Sequence, residues 1–430
     1  MTDTGDSPTL YHALALVDWD ARFAAARADA ALVAETRAAA ESLVENGYAV
    51  VRNVVERSLC EWSLAEFWRC TEAASGGRLR RPASPADLVG VEGDWWLPNT
   101  RGILEVGACA HLPSTLAVRM HPRVAAVFAL LHGVDGGLVS SADRITYVHP
   151  PEWMERVPRA RPLDGAPGHD GTSIARVDEA AWLHTDQRFS KAGLHCVQGL
   201  VPCVDADQPG DATLEVVRGS HLLHATLRER LGLEKDYKGC GHDWYKLSDA
   251  EKALLDKDGL FANLVRVPAR AGDLVLWDSR ALHQGGRVRA SAAHPRAVAR
   301  PRYVVYACMQ PTFAPLPPVL AARKRKVYEE ARATAHWPRS GTLFGPPRTY
   351  GRVLAPLDYA PHVVRPLDAP GTYPVVERLG GLVPWLARAA GAPMLDFAPA
   401  SGVRVATELA LPAALKRAAQ QPGAEKRARA

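Results

Sequence analysis

The sequence predicts a mainly β protein with flanking helices, in which short strands form a sandwich or barrel. Two observations lead to this fold class. From about residue 138 to about residue 312, apolar runs of strand length alternate with turn residues, a pattern typical of sandwiches and barrels. On either side of this stretch, Ala-rich and amphipathic segments have helical spacing.

The N-terminal part, residues 1–137, is expected to supply helices and covering segments. Residues 20–46 are Ala-rich with Leu and Val at helical intervals, so they predict one long helix. Gly47 follows and is expected to end it, because glycine is the usual residue at the end of a helix. The elements expected next are a buried strand at 48–55 and helices at 58–70 and 121–131.

The predicted β-rich core covers residues 138–312. Its expected strands lie in the runs LVSSADRITYV, AAWLHTD, LHCVQGLVPCV, ATLEVV, LVRVPA, GDLVLWDS and RYVVYACM. A helical or looped insertion is expected to interrupt them near 222–262. After the core, residues 313–415 predict a helical and irregular extension, and the basic tail 416–430 is expected to be disordered.

Composition and charge exclude several classes of protein. The chain has 430 residues, of which 47% are hydrophobic and 23% charged, unlike a disordered chain. Its 52 Lys and Arg against 47 Asp and Glu give a net charge of +5, too small to argue for a nucleic-acid partner. Seven scattered cysteines without a CxxC pair favour reduced thiols in a cytoplasmic or otherwise intracellular protein. We expect neither a secretory signal nor a membrane span.

The segment WLHTDQ contains the clearest candidate site. His184 and Asp186 are two residues apart on a predicted strand, so their side chains should share one face. His283 lies 99 residues further on (283 − 184) and is expected to end another strand. Two imidazoles and one carboxylate form the facial triad of non-haem Fe(II) proteins, so we predict these three residues as metal ligands and catalytic residues. Alternation would place further residues on the face of His283: Trp277, Ser279 and Ala281.

Other residues with ligand chemistry are expected to be structural. His221 follows an RGS turn, and His195 has no carboxylate at metal spacing. Cys240 and His242 lack the second pair of ligands that a zinc site needs. The basic run 323–326 predicts a solvated helix face. Packing is also the favoured role of a group ahead of the core: Trp95, Trp96, Asn99 and Arg101.

The order of the segments HTDQ, LHCVQGLVPCVDAD, ATLEVVRGSH and GDLVLWDSRALH resembles Fe(II)/2-oxoglutarate-dependent dioxygenases of the phytanoyl-CoA dioxygenase (PhyH-like) superfamily. The flanking segments ENGYAVVRNVV and RKRKVYEEARATAHWP extend the resemblance over most of residues 40–350. It implies a double-stranded β-helix (jelly-roll, cupin-like) core. It also implies Fe(II) and 2-oxoglutarate as cofactors, with ascorbate as a reductant. The implied reaction hydroxylates or otherwise oxidises an unactivated C–H bond and releases succinate and carbon dioxide.

The same resemblance implies an arginine that binds 2-oxoglutarate. In that family the arginine lies on the strand after the distal histidine, and the match here is Arg302, 19 residues past His283 (302 − 283). This separation is longer than usual. A guanidinium can pair with a carboxylate through two parallel hydrogen bonds, which a lysine cannot reproduce. The remaining candidates are Arg300, Arg289 and Arg287 as fallbacks, in that order, and Gln198 and Ser279 as weaker pocket residues.

Two substrate classes and one different function remain open. A small metabolite or lipid-like acid is the first expectation, and a protein or nucleic-acid side chain is the alternative. A second alternative is a cupin-type oxygenase or binding protein that is independent of 2-oxoglutarate and would tolerate Arg302→Ala. Asp186 occupies the position where halogenases of this fold have a small residue and bind chloride, so hydroxylation is preferred over halogenation. The sequence carries no prediction of the oligomeric state.

Overall fold

The computed structural model describes nine stretches of the chain. They are residues 18–77, 79–83, 102–104, 107–148, 182–208, 211–232, 244–286, 300–339 and 359–397. Within these stretches, two antiparallel β-sheets pack against each other, and helices cover the outer face of one of them. None of the described helices is long and apolar enough to span a membrane.

The helices and strands have the following bounds. The helices are α1 (Trp19–Ala28), α2 (Ala30–Asn46), α3 (Arg57–Ala74), α4 (Pro113–Arg119), α5 (Pro122–His132), α6 (His224–Arg230), α7 (Asp249–Lys257), α8 (Pro318–Glu329) and α9 (Pro374–Leu379). The strands are β1 (Tyr48–Val51), β2 (Leu138–Ser140), β3 (Ile145–Val148), β4 (His184–Thr185), β5 (Val197–Pro202), β6 (Leu214–Val217), β7 (Tyr245–Lys246), β8 (Leu264–Val267), β9 (Leu274–Asp278), β10 (His283–Gly285), β11 (Arg302–Ala307) and β12 (Met309–Pro311). Short 3-10 helices lie at Gly107–His111, Ser220–Leu223, Leu260–Asn263 and Ala360–His362.

The strands form two five-stranded sheets. The first has the order β1-β9-β5-β11-β3, and the second has the order β7-β4-β10-β6-β8. A two-stranded ribbon, β12-β2, lies beside them, and all the strand pairs are antiparallel. The predicted fold class, a mainly β double-stranded β-helix with flanking helices, is confirmed. The division into segments at residues 138 and 313 stays a prediction.

The first sheet separates two apolar regions. Outward side chains such as Tyr303 and Val305 pack into the large cluster that includes Phe67 of α3. Inward side chains such as Trp277 and Val304 pack against residues of the second sheet. Because side chains alternate along a strand, β11 sends Arg302, Val304 and Tyr306 to the inner face.

The long helix predicted over residues 20–46 is wrong as one element. Two helices, α1 and α2, replace it, and Asp29 separates them. The Asp29 carboxylate accepts the backbone N–H groups of Ala31 and Leu32, so it caps the second helix where the alanine-rich pattern showed no break. The predicted end is confirmed, because Gly47 has a φ of 83° in the left-handed region.

The predicted strand that should end at His283 is also wrong. β9 stops at Asp278 in the first sheet, and His283 begins β10 in the second sheet. Between them the chain turns, with the Ala281 N–H donating to the Asp278 carbonyl at 2.9 Å. The alternation that placed Trp277, Ser279, Ala281 and His283 on one face therefore does not apply across this turn.

Three smaller expectations also change. The strand predicted at 48–55 is shorter, because Asn53 adopts a φ of 50° just after β1. The insertion near 222–262 contains helices as expected, and also the short strand β7. The basic run 323–326 is not a uniformly solvated face: Lys324 is buried and its Nζ donates to the Ser140 carbonyl at 2.7 Å.

Candidate metal centre

The pairing of two strands brings the predicted ligands together. β4 pairs with β10 so that His184 lies directly opposite His283. Asp186 follows β4 in a bend, and its Oδ1 lies 3.5 Å from His184 Nε2, while its Oδ2 lies 3.1 Å from His283 Nε2. One ligand atom from each residue fits within 4.8 Å of the others, so the three side chains can hold a metal ion.

Both histidines present the same ring nitrogen to this site. His184 Nδ1 lies 2.8 Å from the Trp182 carbonyl, and His283 Nδ1 lies 2.9 Å from the Ala281 carbonyl. A carbonyl can only accept, so each Nδ1 carries the proton and each Nε2 keeps its lone pair for a metal.

The electrostatics keep these groups in the forms that bind metals. Burial lowers the pKa of His184, and neighbouring His283 lowers it further, so its imidazole stays neutral. Burial opposes ionisation of Asp186, but the imidazoles of His336, His283 and His184 outweigh it and hold the pKa of that carboxyl well below its usual value. A neutral imidazole and an ionised carboxylate are the forms that coordinate a cation.

Backbone and side-chain hydrogen bonds fix the bend that carries Asp186. The Asp186 N–H donates to the Ser279 carbonyl at 3.0 Å. The Ser279 hydroxyl donates to Gln187 Oε1 at 2.8 Å, and Gln187 Nε2 donates to the Lys191 and Gly193 carbonyls. The structure thus places Ser279, predicted as a pocket residue, in the support of this bend.

Arg302 lies inside the sandwich. It begins β11 of the first sheet and is 6% exposed. A Cβ added to Gly285 of β10 would lie 2.7 Å from Arg302 Nη1, so the guanidinium reaches the second sheet two residues past His283. Its Nε has no hydrogen-bond partner within the described stretches. Burial lowers the pKa of Arg302, and the nearby side chains of Tyr306 and Glu215 partly offset this decrease.

Gln198 and Trp277 line the same interior. They are register partners on β5 and β9, and both are almost fully buried. Neither side-chain atom of the Gln198 amide, nor Trp277 Nε1, has a hydrogen-bond partner among the described residues. Buried polar atoms are nearly always paired, so this interior is built for a polar molecule or for water.

The other predicted residues lie away from the three ligands or outside the described stretches. Arg300 pairs with Asp207 at 3.0 Å and Asp211 at 2.7 Å, and His221 Nε2 lies 3.0 Å from the Val44 carbonyl. His195 Nε2 lies 3.0 Å from the Ala192 carbonyl. The described stretches do not include Arg287, Arg289, Cys240, His242, Trp95, Trp96, Asn99 or Arg101.

The sequence analysis missed a histidine beside the site. His336 Nε2 lies 3.7 Å from Asp186 Oδ2, and its Nδ1 contacts Asp143 Oδ2. Burial lowers the pKa of His336, but the carboxylates of Asp143 and Asp186 outweigh it and raise the value to about 9. His336 follows helix α8 and Asp143 lies between β2 and β3. Both lie in segments that the sequence analysis quoted, RKRKVYEEARATAHWP and LVSSADRITYV, but no ligand spacing links them to each other or to Asp186, so neither was singled out.

The fold and the site together define a double-stranded β-helix protein in which two histidines and one carboxylate are grouped so that they can hold a metal ion. Residues 149–298 match the family model of phytanoyl-CoA dioxygenase (PhyH), a range that includes all three ligand residues. The predicted resemblance to that superfamily is confirmed over this central segment. None of the curated proteins matches the chain.

Solved structures show more distant similarity. The epimerase SnoN in complex with Fe3+, alpha ketoglutarate and nogalamycin RO is 16% identical, with 75% of this chain and 96% of that chain covered and a TM-score of 0.36. HygX from Streptomyces hygroscopicus, with nickel and 2-oxoglutarate bound, is 17% identical, with 64% and 87% covered and a TM-score of 0.37. The hypothetical protein JW0805 from Escherichia coli is 15% identical, with 77% and 90% covered and a TM-score of 0.40.

Proposed function

We propose that this protein is an Fe(II)- and 2-oxoglutarate-dependent oxygenase that hydroxylates, or otherwise oxidises, a C–H bond of a small molecule. The observation that carries the proposal is the group formed by His184, Asp186 and His283, whose ligand atoms fit within 4.8 Å of one another. With Fe(II) and 2-oxoglutarate bound, such a centre consumes oxygen, releases succinate and carbon dioxide, and transfers one oxygen atom to the substrate.

The chain's own residues fit this role. His184 and His283 would bind the metal through Nε2, because their Nδ1 protons are committed to carbonyls two residues earlier. Asp186 would supply the negative charge, and three carboxylate or imidazole ligands would leave coordination positions open. The burial of Asp186 and His283 excludes bulk water, which strengthens these interactions.

Arg302 would bind the far carboxylate of 2-oxoglutarate. Its guanidinium lies beside Gly285, in the interior shared with the metal ligands, and its Nε lacks a partner within the described residues. The fallback Arg300 is engaged by the carboxylates of Asp207 and Asp211, which supports the choice of Arg302. Gln198, two residues into β5, would give the same interior a neutral hydrogen-bonding group for cosubstrate or substrate.

A small metabolite or lipid-like acid is the proposed substrate class. The family that matches residues 149–298 is named after phytanoyl-CoA dioxygenase. Phytanoyl-CoA is a lipid-like molecule, and this supports the choice of substrate class. The net charge of +5 over 430 residues gives a nucleic-acid substrate no comparable support.

The test is anaerobic loading with Fe(II), followed by a succinate assay with 2-oxoglutarate, oxygen and ascorbate. Wild type should bind about one equivalent of iron, and it should form succinate that the double variant His184→Ala/Asp186→Ala does not form. His221→Gln is the matched control, because His221 is a buried histidine outside the ligand group. Iron bound equally by wild type and the double variant would refute the metal site.

Gly285→Ala separates cosubstrate binding from metal binding. The new Cβ would displace the end of the Arg302 side chain, so the concentration of 2-oxoglutarate needed for half-maximal rate should rise while iron content stays at the wild-type level. Iron uptake without any succinate, with every candidate substrate tried, would favour the oxygenase or binding protein independent of 2-oxoglutarate.

A further inference from the structure

The segment after helix α8 contacts the carboxylate ligand from outside the β-sandwich. Two consecutive residues of this segment, His336 and Trp337, approach Asp186. His336 Nε2 faces the side-chain Oδ2 at 3.7 Å, and Trp337 Nε1 donates to the backbone carbonyl at 3.0 Å. The side chain and the backbone of one ligand residue are therefore both contacted by residues adjacent in sequence.

The segment itself is fixed to the β2–β3 connection. The Thr334 N–H donates to the Ala142 carbonyl at 2.9 Å, and the Ala142 N–H donates to the Thr334 hydroxyl at 3.0 Å. Asp143 follows Ala142, and its carboxylate contacts Nδ1 of His336. Trp337 packs with two buried residues of the barrel wall: Cys196 and Cys308.

We propose that His336 and Trp337 are positioning residues that hold the Asp186 carboxylate in one orientation for the metal, with Asp143 holding His336 in turn. The inference rests on the proposed function, because it assigns a role toward the metal that His184, Asp186 and His283 would bind.

The physical reason lies in the second carboxylate oxygen. A carboxylate that gives one oxygen to a metal leaves the other to be satisfied, and Asp186 is only 4% exposed. Among the described residues, His336 is a side chain outside the three ligands that faces the Asp186 carboxylate itself. The partners that orient metal ligands in this way typically contribute 10- to 100-fold to metal affinity.

Binding of Co(II) to the full-length metal-free protein tests the inference without turnover. Calorimetry gives the affinity, and the visible absorption of bound Co(II) reports the geometry of its ligands. The set comprises wild type, His336→Gln, Trp337→Phe, Asp143→Asn, the double variant His336→Gln/Asp143→Asn, and His221→Gln as the buried-histidine control.

We expect His336→Gln to bind Co(II) about 10- to 100-fold more weakly with an altered absorption spectrum. Trp337→Phe, which keeps the ring and removes the N–H group, should give a smaller loss. Asp143→Asn should reproduce part of the loss, and adding it to His336→Gln should weaken binding no further, because the two act through one contact. His221→Gln should lower thermal stability and leave affinity and spectrum unchanged.

Wild-type affinity and spectrum in both His336→Gln and Trp337→Phe would overturn the inference while the metal site stands. If His336→Gln fails to fold, Asp143→Asn and Trp337→Phe decide, since each keeps the histidine: wild-type binding in both overturns the inference. If wild type and His184→Ala/Asp186→Ala bind Co(II) alike, the proposed metal site fails and this inference fails with it.

Discussion

Two buried arginines on opposite faces of the first sheet differ in how their donor groups are satisfied. On the side where the helices pack, Arg119 is buried and donates to three backbone carbonyls, those of Tyr306, Ala110 and Asp143. On the inner face, Arg302 is also buried, yet its Nε has no partner in the described part of the chain. Gln198 on the same inner face leaves both amide atoms without a partner there.

This contrast separates an arginine that stabilises the fold from polar groups that we propose bind a ligand. A buried donor or acceptor without a partner costs about 1–3 kcal/mol of folding free energy. Selection keeps such groups where a bound molecule completes them. We therefore expect substitution of Arg119 to change stability, and substitution of Arg302 or Gln198 to change function.

Replacing the two buried arginines should give opposite results, and this is the largest effect expected. Arg119→Met leaves three carbonyls without their donor, so the free energy of unfolding should fall by about 3 kcal/mol or more. Arg302→Met should change it by less than about 1 kcal/mol, but should raise the 2-oxoglutarate requirement at least about tenfold. Urea unfolding and the succinate assay measure the two quantities. If Arg119→Met and Arg302→Met lower the free energy of unfolding equally, Arg302 stabilises the fold as Arg119 does, and the two arginines do not differ in role.

A second pair compares two buried glutamines. Gln187→Leu removes hydrogen bonds to Ser279, Lys191 and Gly193 and should lower the free energy of unfolding by about 2–3 kcal/mol. Gln198→Leu breaks no hydrogen bond within the described residues, so stability should stay the same or rise slightly. Thermal unfolding of the metal-free proteins checks both. A large loss for Gln198→Leu would show that its amide is already paired.

Lys324 is a buried ionisable residue on the helix-packed side, and its burial should make the stability of the protein depend on pH. Burial lowers the pKa of its ammonium from 10.5 to about 7. Between these values the unfolded chain binds a proton that the folded protein does not, so stability gains from rising pH. The free energy of unfolding of wild type relative to Lys324→Met should therefore increase from pH 7 toward pH 10 by at most about 1.4 kcal/mol per pH unit.

Denaturant unfolding of wild type and Lys324→Met at pH 7, 8 and 9 measures this difference. Lys326→Met is the control, because Lys326 lies on the exposed side of the same helix. If the free energy of unfolding changes with pH in the same way in both lysine variants, the predicted pH dependence does not come from Lys324.

The smallest effect is expected at the C-terminal tail. Removing residues 419–430 should leave succinate formation and thermal stability at wild-type values, because this basic segment has few apolar residues to pack. The same two assays check it. Loss of folding would show that the tail packs against the described domain.

Features that follow a regular spacing along the chain could be predicted from the sequence. Features that depend on contacts between distant segments could not. Strand alternation and turn residues located most of the longer strands, and the two-residue spacing of His184 and Asp186 singled out two of the three residues that the structure groups with His283. The passage of the chain from the first sheet to the second after Asp278 was not predicted, because a turn of four residues leaves the apolar pattern almost unbroken. His336 escaped because a contact between distant loops depends on tertiary packing.

The position of β1 has a consequence for biosynthesis. This strand, Tyr48–Val51, closes the edge of the first sheet by pairing with β9, Leu274–Asp278. During translation it leaves the ribosome more than 200 residues before its partner exists, so its hydrogen-bonding groups and apolar side chains must be shielded meanwhile. Once paired, it replaces β9 as the outermost strand, so the sheet ends in a strand of only four residues, and short edge strands are less able to recruit a strand from another copy. The same four residues are thus a hazard in the nascent chain and a short, less reactive edge in the finished protein.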